Sequence, residues 1–272
     1  MVRLFGIAIG AVFCAVLLFA ALAPREAVEV DPTYAFHKDP KQVKWSSAGI
    51  FGTYDRVQLQ RGFQVYKEVC ASCHSLNRIA FRNLAEIGFS EPEVKAIAKN
   101  WVIEVPMINP DTGEAATRPG IPSDKIPLVY ANEVAARAAN NNALPPDLSL
   151  ITKARHDGSN YLYSLLSGYA DVPANFPADR RPEAPLHYNP YFHSLAIAMA
   201  PPLSDGQVTY AEGQPEPTVD QMSQDVAAFL TWAAEPKMES RKRAGVGVIV
   251  FLLFLTGLAY MSYRRVWAGL KH

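Results

Sequence analysis

The sequence predicts an all-α domain with long loops, tied to a membrane by a C-terminal transmembrane helix and offered a second span at its N-terminus. Three observations carry that reading. Two apolar runs, residues 4–23 and 244–263, each reach the roughly 20 residues that cross a bilayer. Between them, apolar residues recur at helical steps, and no sustained period-two alternation marks a sheet. The 21 prolines of the chain favour loops over regular strands. Composition agrees, because 49% of the 272 residues are hydrophobic and only 19% are charged. The formal net charge of zero gives no global basic field for nucleic acid.

The first run, "LFGIAIGAVFCAVLLFAALA", has two readings. Ala21-Leu22-Ala23 has the small-x-small form of a signal cleavage site, which would make residues 1–23 a removed leader. The run is also long enough to be an uncleaved anchor, and Pro24 just after the cut disfavours cleavage. Either way the following domain, residues 24–240, leaves the cytoplasm. Within it, "DRVQLQRGFQVYKEVC" puts Leu59, Phe63, Tyr66 and Cys70 on one helical face, with Asp55 and Gln58 at its capped start. Shorter helices are expected at "EPEVKAIAKNW", "NEVAARAANN" and "GSNYLYSLLSGYA". "TVDQMSQDVAAFLTWAAEP" opens with Thr218 and Gln221 as a capping box and stops before Pro236. Met222, Val226, Phe229, Leu230 and Ala233 form its apolar stripe, placed to meet Phe63 and Tyr66. The segments "INPDTGEAATRPGIPSDKIPL" and "DVPANFPADRRPEAPLHYNPYF" read as proline-punctuated loops, of a length that usually wraps something.

The second apolar run carries no charge inside it and ends in Tyr260, Tyr263 and Trp267, as interfacial anchors do. Arg241, Lys242 and Arg243 precede it, and Arg264, Arg265 and Lys271 follow it in the tail, residues 264–272. Three bases on each side balance, so the positive-inside rule selects neither orientation.

Cys70, Cys73 and His74 decide the chemistry. The chain has only three cysteines, and Cys14 lies in the first apolar run, so no disulfide framework exists. A redox dithiol belongs at a helix start in a βαβ context, whereas this pair ends a helix. A structural zinc site needs four ligands, and the third cysteine is out of reach. What remains is C-x-x-C-H, the attachment signature of a c-type haem. Two thiols three residues apart on one helical turn reach the two vinyl groups of a porphyrin, and the next residue gives its imidazole to the iron. The other axial ligand must come from the remaining histidines and methionines. Met222 belongs to the core stripe, Met238 and Met261 lie beside or in the membrane run, and His272 is the terminus. Met199 ends an apolar segment and is followed at once by Pro201-Pro202, a rigid strand suited to holding a thioether. His187 or His193 is the alternative. His/Met ligation raises the potential and fills both axial positions, which points to electron transfer through one covalently bound haem c in a class I cytochrome c-like domain.

Several blocks widen the likeness. The segments "RGFQVYKEVCASCHSL", "EVAARAANNNALPPDLSLITKARHDGSNYLYSLLSGY", "YNPYF", "AIAMAPPL" and "DVAAFLTWAAEP" are followed by "RKR" and a terminal membrane helix. In that order and spacing the chain resembles the cytochrome c1 family of the ubiquinol–cytochrome c oxidoreductase (bc1) complex. The resemblance implies thioether links at Cys70 and Cys73, with His74 and Met199 as the metal ligands. It implies a crevice lined by Asn140, Ala143, Pro145 and Pro146, and propionate contacts from Arg155 and Tyr161. It also implies cytochrome b, a Rieske iron–sulfur protein and a soluble or membrane-bound cytochrome c as partners, in a dimeric complex amid membrane lipid. The setting would be the bacterial inner membrane, with the haem domain periplasmic. The subunit would be non-catalytic by itself. The extra disulfide of some bacterial relatives has no cysteines here, and the 107–130 region and "ADVPANFPADRRPEAP" match only loosely. The alternative is a stand-alone membrane-anchored cytochrome c passing electrons to an oxidase.

Overall fold

Helix α1, Val2–Leu22, is apolar on every side beyond Arg3, with mean hydropathy and length enough to cross a membrane. It belongs to a first compact unit, Met1–Ala35, and all that follows belongs to a second, Phe36–His272. The computed structural model describes residues 2–23 and 31–269. Pro24, Lys271 and His272 lie outside the described residues.

The second unit is built on a pair of packed helices, α2 (Arg56–Glu68) and α6 (Val219–Ala234). The Asp55 carboxylate caps α2 by accepting from the backbone N–H groups of Val57 (3.0 Å) and Gln58 (3.2 Å), two of the donors a helix start leaves free. The Thr218 hydroxyl caps α6 by accepting from Gln221 N at 3.1 Å. The Gln221 side chain turns instead to Asp225 Oδ1, 2.9 Å away, so this cap is one-sided rather than a box.

The predicted apolar faces meet. Leu59, Phe63 and Tyr66 of α2 and Met222, Val226, Phe229, Leu230 and Ala233 of α6 are all buried. Phe229 takes Phe63 edge-on at 5.6 Å and Tyr66 at 5.7 Å between ring centres. Close approach depends on Gly62, where a Cβ would stand 2.0 Å from the Asp225 carbonyl oxygen. Beside that crossing Arg61 grips the buried Asp225 carboxylate with two bonds, Nε at 2.8 Å and Nη2 at 3.0 Å.

Three further helices pack within the unit: α3 (Glu91–Lys99), α4 (Glu133–Ala139) and α5 (Gly158–Leu166). Helix α5 lies on α6, with Ser159 Oγ and Thr231 Oγ1 2.7 Å apart and the Tyr163 hydroxyl donating to Asp220. Lys41, Val43 and Trp45, whose segment carried no helical signal, strap across α5. Lys41 N donates to Ser164 Oγ at 2.8 Å, and Val43 N and Trp45 Nε1 both donate to Asn160 Oδ1, at 3.1 and 2.7 Å.

The domain is largely helical with little sheet, two short hairpins standing beside the expected helices. Strand β1 (Val105–Ile108) pairs antiparallel with β2 (Ala115–Arg118), and β3 (His187–Tyr188) with β4 (Ala196–Ile197). The first hairpin closes through Asn109, which exchanges bonds with Gly113 and Glu114 at 2.8 Å, while Gly113 takes φ 74°. Four-residue strands alternating half-buried with exposed are too short for a period-two signal to register. The proline-rich stretch before β4 has a small core of its own, Phe176, Tyr188 and Leu195, with Phe36 against it.

Three residues after α6 the chain enters α7 (Met238–Trp267), a single helix whose apolar stretch is exposed along its length. Tyr263 and Trp267 stack at its far end, 6.0 Å between ring centres.

Candidate functional site

Helix α2 ends at Glu68, and the chain tightens at once into a 3-10 turn, Cys70–Ser72. Cys73 N and His74 N both donate back to the Cys70 carbonyl, at 3.2 and 2.9 Å. That single carbonyl folds the two thiols and the imidazole onto one turn. The buried Tyr66 hydroxyl donates to His74 O at 3.0 Å, which ties the turn to the α2–α6 core. Cys70 packs against that core, and both cysteines are free thiols. Burial, then the neighbouring Cys73, pushes the Cys70 thiol up to about 12.

His74 Nδ1 lies 2.9 Å from the Pro146 carbonyl oxygen. A carbonyl can only accept, so Nδ1 carries the proton and Nε2 keeps its lone pair. Burial holds the imidazole below its ordinary range, in the neutral form that ligates metal. Pro146 lies in the "ALPPDLS" segment, which is sewn to the residues after His74. Asn77 N donates to Asp147 Oδ2 (2.9 Å), Arg78 N to Ser149 Oγ (3.1 Å) and Leu148 N to Ser75 O (2.9 Å).

Asn140 caps α4, its side chain donating to Ala136 O at 2.7 Å and to the Tyr130 hydroxyl at 2.9 Å. Ala143 N donates to Asn140 O, and Ala143 and Pro145 are half-buried while Pro146 is exposed. Asn141 and Asn142 turn the chain through positive φ, 51° and 65°. Asparagine tolerates that region better than most residues, which accounts for the "NNN" run.

Met199 follows β4 and is half-buried. Its carbonyl accepts from the Tyr169 hydroxyl at 2.9 Å. Tyr169 in turn lies within electrostatic reach of Tyr161, and Tyr161 within that of Arg155. Arg155 is otherwise exposed, its Nη1 donating to Ala154 O at 3.1 Å. Burial raises both tyrosines above the ordinary phenol range. The structure thus joins Cys70, Cys73 and His74 with Pro146, and Met199 with Tyr169, while Tyr161 and Arg155 are connected to that second pair only through electrostatic reach. Tyr130 and Tyr169 escaped the sequence reading. Their one visible signal is that each stands within ten to thirty residues of a loop it braces.

No group of three or more His, Cys, Asp or Glu side chains able to hold a metal ion occurs among the described residues. Two thiols outside any disulfide, a neutral imidazole with no bond at Nε2 and a guanidinium without a carboxylate partner among the described residues are a donor set that fits a haem.

Comparison with known proteins reaches the same region. A profile of the Cytochrome C1 family matches residues 45–270. Cytochrome c1 of Rhodospirillum rubrum is 47% identical over 240 residues, covering 84% of this chain and 87% of its own length. Cytochrome c1-2, a mitochondrial heme protein of Solanum tuberosum, is 47% identical over 267 residues, covering 97% of this chain and 96% of its own. The cytochrome b-c1 complex catalytic subunit of Candida albicans is 46% identical over 233 residues, covering 86% and 79%. With the match running from the strap at Trp45 through the cysteine turn to the end of α7, this chain belongs to the cytochrome c1 family.

Proposed function

We propose that the chain is the haem-bearing, electron-carrying subunit of a quinol–cytochrome c oxidoreductase of the bc1 type. The observation that carries this reading is the bond from His74 Nδ1 to Pro146 O, which sets aside Nε2 for a metal directly beside two free thiols. Cys70 and Cys73 would hold the haem covalently, and His74 and Met199 would be its axial ligands. When bound, the haem supplies a one-electron iron couple.

The remaining residues position and shield. Pro146, through its carbonyl, fixes the His74 tautomer and ring orientation, as partners of metal-bound histidines do. Asn140, Ala143 and Pro145, braced by Tyr130, form one wall. Arg155, within electrostatic reach of Tyr161, would offer a guanidinium fork for a propionate. Tyr169 holds the backbone at Met199 so that the thioether is presented rather than free to swing.

The subunit would receive electrons from a Rieske iron–sulfur protein and deliver them to a cytochrome c, with cytochrome b beside it in a dimeric assembly. A Bradyrhizobium diazoefficiens relative named Cytochrome b/c1, 48% identical over 252 residues, supports the cytochrome b pairing. We place α7, and α1 if it is retained, in the inner membrane of a bacterium, with the residues between them in the periplasm and the tail inside.

Two measurements test the proposal. Isolation of the native protein in mild detergent is expected to bring cytochrome b and a Rieske protein with it, and a chain that purifies alone would sink the subunit reading. Met199→Leu is expected to remove the thioether-to-iron absorption band of the oxidised protein and to lower the midpoint potential sharply. A retained band would reject Met199 as a ligand.

A further inference from the structure

Where the chain enters α7, the loop at Ile50–Thr53 lies against the first turns of that helix. The two enclose a cleft of about 260 Å³, lined by Ile50, Phe51, Glu239, Lys242, Arg243 and Val246 among others. Its charges do not cancel. Glu239 is already engaged, accepting from Tyr54 N at 2.7 Å and from Arg56 Nη2 at 3.0 Å. Lys242 Nζ donates to the carbonyl oxygens of Ser47 (2.6 Å) and Gly52 (3.3 Å), which are neutral acceptors. Arg243 is exposed and makes no hydrogen bond or ion pair among the described residues, its charge reaching Glu239 only at a distance. Two cationic groups thus face the cleft with one acid that Arg56 neutralises.

The other wall is apolar. Ile50 is 70% exposed and Phe51 84% exposed, side by side on one loop. Helix rise fixes their depth. With residues 244–263 as the span, Lys242 and Arg243 stand within roughly 3 Å of the hydrocarbon edge on the outside, and Val246 about 3 Å inside it. Ile50 and Phe51 share the cleft with Val246, so they lie at the boundary where acyl chains begin. Scattered exposed apolar residues carry no message, but an adjacent pair beside a span, below two bases, has the polarity profile of one molecule type.

We propose that this cleft binds an anionic phospholipid, with the phosphate on Lys242 and Arg243 and the upper acyl chains along Ile50, Phe51 and Val246. The proposal rests on α7 crossing the membrane. It is tested on the full-length, haem-loaded chain in nonionic detergent, mixed with micelles holding equal amounts of phosphatidylglycerol and phosphatidylcholine. Bound lipid per chain is counted by native mass spectrometry. The wild type is expected to retain phosphatidylglycerol over phosphatidylcholine. Arg243→Gln breaks no hydrogen bond among the described residues and is expected to weaken that retention about fivefold, the effect of one cation near an anionic surface. Inorganic phosphate is expected to leave the bound lipid in place.

Equal retention of the two lipids by the wild type, or unchanged phosphatidylglycerol retention in Arg243→Gln, would overturn the proposal. Displacement by phosphate alone would also overturn it, by marking a site for free anions. So would loss of cytochrome b from the native complex of Arg243→Gln with lipid retention unchanged, because the face would then be a protein interface. Release of the wild-type chain from membranes by alkaline carbonate is a separate failure, which would remove the span itself.

Discussion

Replacing Gly62 by alanine probes the crossing that holds α2 against α6. A Cβ there would stand 2.0 Å from the Asp225 carbonyl oxygen, 2.6 Å from its carbon and 2.7 Å from the Phe229 Cβ, whereas ordinary contact begins at 3.4 Å. The helices must therefore part by on the order of 1 Å, in an interior that packs like a crystal. Two of the three obstructing atoms are backbone and cannot rotate aside. Overpacking of this kind costs about 1–3 kcal/mol, and the backbone obstruction puts it at the upper end. Alanine recovers about 1 kcal/mol of helix propensity, leaving a net loss of about 2 kcal/mol. For a domain of this size that lowers the Tm by roughly 4–8 °C. The assay is thermal unfolding of the full-length haem-loaded protein in detergent, followed by near-ultraviolet circular dichroism and by the Soret band together. Because α2 leads straight into Cys70–His74, both signals are expected to move by the same amount. Gly245→Ala, in open space on α7, is the control: it gains the same helix propensity without the obstruction and is expected not to lower the Tm. A Gly62→Ala protein melting at or above the wild-type temperature would refute the reasoning.

Three other outcomes follow from the same structure. Asp55→Ala removes both cap bonds of α2 and should lower stability by about 1 kcal/mol, read as a shift of the urea midpoint at constant slope; an unmoved midpoint would mean that water replaces the cap at no cost. Tyr169→Phe deletes the bond to Met199 O and is expected to lower the midpoint potential while keeping the haem covalently attached, whereas an unchanged potential would reduce Tyr169 to packing. The Arg118 guanidinium beside Asp124, at 2.6 and 2.8 Å, holds that carboxyl below the usual range. Its stabilisation is therefore present above the ordinary carboxylate pKa and lost as pH falls through the lower folded value. Urea midpoints between about pH 6 and pH 3 should drop less steeply in Arg118→Gln than in wild type; parallel curves would show that this pair does not couple to folding.

What could be read from the sequence was what local chemistry writes into neighbouring residues. The helices at 56–68, 91–99, 133–139, 158–166 and 219–234 announced themselves through periodic apolar faces and through caps such as Asp55 and Thr218. The cysteine turn was legible because C-x-x-C-H sets three residue positions at fixed short spacing. The two hairpins were missed because strands of two and four residues produce no period, and the Gly113 turn is only visible once both flanks are known. The Tyr169 bond to Met199 O spans 30 positions, and the Trp45 bond to Asn160 spans 115. Neither partner carries a local mark of the other. The His74–Pro146 bond has the same character: the histidine was evident, but what sets its tautomer lies 72 positions away.

The separation between α2 and α6 also sets an order of events for the growing chain. Arg61 and Asp225 are 164 positions apart, and synthesis runs from the N-terminus. When Cys70, Cys73 and His74 emerge, the helix that will cover Leu59, Phe63 and Tyr66 has not been made. Thiol chemistry at the two cysteines can therefore precede tertiary structure, whereas enclosure of the turn waits for almost the whole domain. Long-range closure of this kind is slow. Through that interval the segment before the cysteines shows water an apolar face, and its upkeep falls to whatever escorts the unfinished chain.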